Sequence, residues 1–257
     1  MRLSALVMVG MVVFAFPAPP ASASDRERPL TFVDLPYPSE ALATRTDGVV
    51  IAEVTTDRTG RILEARPVVG PALLARAVVA NVKGWTLAPG PPTDWIVFRF
   101  EIESGACNDD GRSLFRLARA NLAVVTACTG SGRRAGAIQE DPLLLRSLGR
   151  TPGYPPLAQS ANVRGVIVLE LSVDGDGAVT AARALNDLPL LAPAAIAHAR
   201  TWRVWPGRTG PRYAVYEFAL DHRECDDTST VVSRVSANYV RLSGCIPNVE
   251  VATREGA

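Results

Sequence analysis

The chain has 257 residues, with 27 basic and 26 acidic side chains and a formal charge of +1 at pH 7. So even a balance gives no strong field to attract nucleic acid or an anionic membrane, and excludes binders of either kind that work by charge. Only Lys83 among the basic residues is a lysine, and the arginine excess reads as coding bias rather than as an arginine-based site.

The N-terminus carries an export signal. Arg2 is a short positive region, Leu3 to Phe16 is an apolar run, and Ala21 and Ala23 make an A-x-A-like cleavage site after the proline-rich 17–20. A bilayer span needs roughly 20 apolar residues, so a removed signal peptide, residues 1–23, and a periplasmic product are expected. An uncleaved N-terminus in the inner membrane is the alternative. No cysteine lies near the cleavage site, which argues against a lipid anchor. Four cysteines in an exported chain point to two disulfides.

An internal repeat organises the rest. Residues 37–90 slide onto 154–207 without a gap, and eighteen positions are identical, among them Tyr37/Tyr154, Pro38/Pro155, Gly48/Gly165, Glu53/Glu170, Asp57/Asp174, Gly60/Gly177, Arg66/Arg183, Trp85/Trp202 and Pro89/Pro206. Past a one-residue insertion the match continues to Phe100/Phe218 and Cys107/Cys225, then to Asn121/Asn238 and Cys128/Cys245. The expected organisation is a first repeat over 30–128, a linker over 129–153, a second repeat over 154–246 and a tail over 247–257. The linker opens with Thr-Gly-Ser-Gly, flexible chemistry.

The first repeat predicts strands near 49–56, 61–68 and 95–102 and a helix near 72–85. The second gives a cleaner pattern. Leu157 to Ala161 could form one helical turn. From Val166 to Val173 the side chains alternate, with Ile167, Leu169, Leu171 and Val173 on one face, which predicts a strand. Asp174-Gly175-Asp176-Gly177 is a hairpin turn, and Val179 to Leu185 returns. Asn186 and Asp187 are capping residues before an apolar helical stripe from Leu190 to Trp202. Tyr213 to Leu220 is a third strand. The fold class expected is therefore α+β: two small ββαβ units, each an antiparallel sheet with one packed helix.

Each unit is extended by a loop or hairpin between cysteines. Repeat symmetry pairs Cys107 with Cys128 and Cys225 with Cys245, closing loops worth roughly 3 kcal/mol in the chain-entropy picture. Alternation over 230–235 and 238–242 suggests a hairpin there, while Ser113 to Ala120 fits a helix as well as a strand.

The ordered set Tyr-Pro-Pro-Leu-Ala (154–158), Gly165-Val166-Ile167-Val168, Val173-Asp174-Gly175-Asp176-Gly177, Leu190-Leu191, Ala-Arg-Thr-Trp-Arg-Val-Trp-Pro-Gly (199–207) and a strand ending at Phe218 resembles the C-terminal domain of TonB-type energy transducers. In the first repeat Trp85-Thr86-Leu87-Ala88-Pro89 lacks the arginine that follows tryptophan in that pattern. The resemblance implies a non-catalytic module that binds an extended peptide of an outer-membrane transporter as an added strand. On that basis the peptide-binding edge is expected at Tyr213, Val215, Glu217 and Phe218, with Trp205 as an exposed contact residue. The long Pro-rich spacer of a transducer is not seen, so a duplicated binding module is the leading expectation. An anchored transducer and a structural envelope scaffold are the alternatives.

Other constellations give less. The Asp174 turn lacks the ligands an EF-hand needs at its fifth and twelfth positions, which hold Ala178 and Leu185. His198 and His222 have no partners at zinc spacing, and His198 is expected on a solvated helix face. There is no G-x-S-x-G elbow. No catalytic, metal or cofactor residues are expected, and the partner is an envelope protein. Glu53 with Arg66 and Glu170 with Arg183 predict cross-strand ion pairs, and Trp85 and Trp202 predict core.

Overall fold

The computed structural model describes residues 29–104, 113–119, 121–129, 145–147, 149, 152–206, 212–222, 230–236 and 238–246. The expected export signal and most of the expected linker lie outside these. In the first half the elements are β1 (Pro29–Thr31), α1 (Ser39–Ala43), β2 (Gly48–Thr56), β3 (Ile62–Val69), α2 (Ala72–Val82), β4 (Thr86–Leu87), β5 (Thr93–Ser104), β6 (Leu114–Arg119) and β7 (Leu122–Thr129). In the second they are β8 (Leu145–Ser147), α3 (Pro156–Ser160), β9 (Gly165–Val173), β10 (Val179–Ala184), α4 (Ala192–Ala199), β11 (Arg203–Val204), β12 (Arg212–His222), β13 (Thr230–Ser236) and β14 (Tyr239–Ile246).

The ββαβ order holds locally, but two small ββαβ units are not what forms. The chain is mostly β and builds two five-stranded sheets of identical plan, β3-β2-β5-β7-β6 and β10-β9-β12-β14-β13. The segments between the cysteines are not appended loops. Each contributes two strands to its sheet, and β7 and β14 pair parallel to β5 and β12. Parallel pairing requires the chain to pass over and return. The outer strands β6 and β13 supply that excursion before turning back through Asn121 and Asn238. Ser113 to Ala120, open between helix and strand on sequence, is strand β6 over 114–119. The apolar stretch Leu122 to Val125 inserts fully buried beside β5, which gives this arrangement a larger core than a three-stranded unit.

The two sheets then pack face to face. Val49, Ile51, Val97, Leu122 and Val124 meet Val166, Val168, Val215 and Tyr239 in one buried cluster. The opposite faces carry the helices: Val50, Ala52, Val54, Phe98 and Trp85 surround Leu74 and Val78 of α2, and Ile167, Leu169, Leu171, Tyr216 and Trp202 surround Ala195 and Ala199 of α4. The layers run helix, sheet, sheet, helix. Nine side chains buried between the sheets, at roughly 1.5–3 kcal/mol each before entropy is counted, make this the dominant contact between the halves.

Both hairpin turns are fixed in the same way. Asp57 Oδ1 accepts the N–H groups of Thr59 and Arg61, and Asp174 Oδ1 those of Asp176 and Ala178. Gly60 and Gly177 follow at φ of 85° and 82°. The cross-strand pairs form as expected, Arg66 Nη2 to Glu53 Oε2 at 2.7 Å and Arg183 Nη2 to Glu170 Oε2 at 2.6 Å.

Three local expectations change. Asn186 does not cap a helix, because α4 begins only at Ala192. Its amide instead accepts from the Val168 N–H and donates to the Val166 carbonyl, pinning β9. Residues 145–147, placed in the linker, pair with β11. His198 is not solvated but 5% exposed. Its Nδ1 lies 2.8 Å from the Tyr216 hydroxyl and accepts from the Trp202 indole at 3.4 Å. The first half has Phe98 at the position of Tyr216, and there Asn81 serves the indole of Trp85. A buried hydroxyl plus a buried indole explains the histidine.

Cys128 and Cys245 are disulfide-bonded and no described cysteine is a free thiol. Cys107 and Cys225, the partners expected from the repeat, lie outside the described residues.

Candidate functional site

The expected peptide-binding strand is not an edge. β12 pairs antiparallel with β9 and parallel with β14 along most of its length. The N–H of Val215 donates to the carbonyl of Asn238 at 2.7 Å. Val215 and Phe218 are fully buried, Val215 between the sheets and Phe218 edge-on to Tyr154 at 5.5 Å. Tyr213 lies on the inner face near Glu170, and burial, then the Glu170 charge, raises its phenol. Trp205 follows β11 and is 55% exposed, whereas Val215, Glu217 and Phe218 are buried. The five residues therefore do not form one surface. The physical reason is that β14 belongs to the same chain and carries Tyr239, Val240 and Leu242, all fully buried. An incoming peptide would have to release three large side chains, each worth about 1.5–3 kcal/mol.

Glu217 has a different setting. It is 3% exposed and sits between the sheets with Arg99, itself 7% exposed. Arg99 Nη1 donates to Glu217 Oε2 at 3.1 Å, and the Tyr239 hydroxyl donates to the same oxygen at 2.8 Å. Arg241 and Arg119 approach Glu217 at 3.9 and 4.0 Å, and Arg99 Nε reaches Glu101 at 2.8 Å. The Arg99 guanidinium also lies 5.6 Å from the Tyr239 ring centre. Burial alone would lower Arg99, but Tyr239, Glu101 and Glu217 together hold it above its ordinary value. Burial, then the Glu217 charge, pushes the Tyr239 phenol well up. Burial lowers Arg119. Asn121 Nδ2 donates across the same boundary to the Val166 carbonyl at 3.4 Å. Chemically this is a structural ion cluster that joins the halves, with Glu217 enclosed by arginines.

Sequence reasoning missed the cluster. Its signal was present: with the insertion allowed for, Arg99 and Glu217 occupy the same position of the repeat with opposite charge.

The backbone edges that stay open lie further out. Among the described residues β13 pairs with β14 alone, and Val231 and Ser233 on it are exposed. At the other border, β10 is partly closed at its start, where Ala178 bridges to Arg203 and Val204 N–H donates to the Gly177 carbonyl. In the first sheet, β3 carries Pro67 at the edge, which removes a donor.

Among the described residues no group of three or more His, Cys, Asp or Glu is placed to hold a metal ion, and no helix is long and apolar enough to cross a membrane. In comparisons with known proteins, residues 150–220 match the model of the family described as Gram-negative bacterial TonB protein C-terminal. The match stops before β13 and β14 and does not include the first half. No curated protein and no solved structure matches the chain.

Proposed function

Starting from residues 150–220 as a member of the TonB C-terminal family, a non-catalytic class of envelope domain that engages outer-membrane proteins, we propose that the chain is a periplasmic protein-binding module linked to outer-membrane transport. The second half receives an extended peptide of a transporter along the outer edge of β13, and the first half is its diverged copy. The observation that carries this reading is the position of the free edge. β14 fills the border of β12, and among the described residues the outer edge of that sheet is β13. Strand addition needs such a row and makes few side-chain demands.

The test is site-specific photo-crosslinking in cells, with the reactive side chain at Val231 or Ser233 on β13 and, for comparison, at Thr180 on β10. Adducts with an outer-membrane transporter from the β13 positions and none from Thr180 are expected. Absence of such adducts from both β13 positions would overturn the reading. A structural scaffold of the envelope would then account for the chain, a reading that the self-filled border of β12 also favours.

A further inference from the structure

At one end of the sandwich the two halves line an open cavity of about 510 Å³. The first half contributes Ala88, Gly90, Asp94 and Trp95 to its wall, and the second contributes Asn186 and Asp187 from the turn after β10. Small residues hold it open: the second half has Trp205 at the position of Ala88. The wall is also rigid on one side, because both polar atoms of the Asn186 amide are bound to the backbone of β9.

The charges of this wall are unusual. Among the described residues of the wall, Asp94 and Asp187 are the ionisable groups, with no lysine, arginine or histidine beside them. Neither carboxylate forms an ion pair among the described residues. Burial pushes the Asp94 carboxyl up, and the hydrogen bond from the Trp95 N–H offsets only part of this. Asp187 is exposed at the rim and Asp94 half-buried; withdrawing Asp94 from water without a countercharge is costly, a cost that a cation would offset. Trp95 adds a second attraction. It borders the cavity with its indole nitrogen buried, and an aromatic ring attracts cations. The equivalent positions at the other end of the sandwich hold Arg212, Tyr213 and Gly70 in place of Asp94, Trp95 and Asp187. The acidic, aromatic combination therefore belongs to one end alone.

We propose that this cavity binds an organic cation, an ammonium or guanidinium group on an apolar stem. Among the described residues no group of three or more His, Cys, Asp or Glu is placed to hold a metal ion, which favours an organic cation over calcium. The stem lies against Trp95 and the charged head between Asp94 and Asp187. A free diamine and the basic side chain of a peptide share this chemistry, and the experiment separates them.

The full chain is labelled with ¹⁵N at its tryptophans, and the Trp95 indole resonance is assigned with Trp95→Phe. Putrescine and N-acetyl-lysine methylamide are titrated in, alongside 1,4-butanediol and N-acetyl-norleucine methylamide as neutral counterparts. A saturable shift of the Trp95 resonance with the cations and none with the neutral compounds is expected. Tighter binding of the lysine derivative assigns a peptide side chain, and tighter binding of putrescine a free amine. Asp94→Asn and Asp187→Asn should each weaken binding by about tenfold or more, the lower end of measured coupling between close charge pairs. Ala88→Trp should abolish it by filling the space, and thermal melts establish that each variant is folded. Absence of a saturable shift with either cation, an equal shift with the neutral compounds, or displacement by calcium alone would overturn the proposal. So would full affinity in Asp187→Asn and Ala88→Trp. This readout is independent of crosslinking at β13, so either conclusion can fail without the other.

Discussion

Replacing Glu217 by glutamine keeps shape and one hydrogen-bond acceptor for Tyr239 while removing the charge that three arginines surround. Arg99, 7% exposed, would keep only Glu101 at 2.8 Å, whose side chain is 38% exposed and partly solvated. Breaking a buried pair by removing one partner typically costs about 3–5 kcal/mol. The surviving Glu101 contact puts Glu217→Gln near the lower end, about 3 kcal/mol. Arg99→Gln should cost less, because Arg119 and Arg241 remain within 4.0 Å of the carboxylate. The double variant should cost less than the sum, with a coupling of roughly 1–3 kcal/mol. The charge swap Arg99→Glu/Glu217→Arg should not restore stability, since it places a third guanidinium against Arg119 and Arg241. Urea denaturation of the four variants, followed by tryptophan fluorescence and by circular dichroism to establish that the transitions coincide, measures all of this. Additive single variants, or a swap as stable as the parent, would refute the claim that Glu217 is the shared counterion of the boundary.

Asp94→Asn should stabilise the ligand-free protein at neutral pH. The folded-state pKa of Asp94 is raised by burial, so its ionisation weakens the fold as pH rises from the ordinary aspartate value of about 3.9 through the raised one. Melting temperature against pH should show that decline in the parent and lose it in Asp94→Asn. Gly177→Ala should destabilise by more than about 2 kcal/mol, since it combines the 1–2 kcal/mol of a left-handed non-glycine residue with a steric clash. An added Cβ would press on the Val204 carbonyl, and a melt reads the loss directly. His198→Ala should cost about 1–3 kcal/mol by stranding the Tyr216 hydroxyl, whereas Trp205→Ala, at an exposed site, should change the melt little.

Much of the fold was legible because it is written twice. The two hairpins, both packed tryptophans and the Glu–Arg pairs follow from alternation and helical spacing. The third strand was read correctly as a strand and wrongly as an edge. Its neighbour β14 is brought beside it by a crossover that local pattern does not encode. The covered inner face, however, did leave a trace. Val49 and Ile51 alternate with Val50 and Ala52, and Val166 and Val168 with Ile167 and Leu169, and all eight are buried. A strand apolar on both sides announces cover on both sides. Glu170, half-buried further along β9 and paired with Arg183, interrupts that signal. His198 was misread because its reason to be buried, Tyr216, lies on another element. The cavity depends on juxtaposing residues 88–95 with 186–187, which no local spacing reveals.

The opposed charges at positions 99 and 217 also bear on which surfaces can close on each other. A chain keeping only the second half would expose Val166, Val168, Val215 and Tyr239 and could bury them only against another copy of itself. That pairing would set Glu217 against Glu217, and the first half alone would set Arg99 against Arg99. Like charges enclosed at the centre of a self-complementary contact oppose its closure. Opposite signs at these two positions therefore favour closure of one half on the other over closure of either half on a copy of itself.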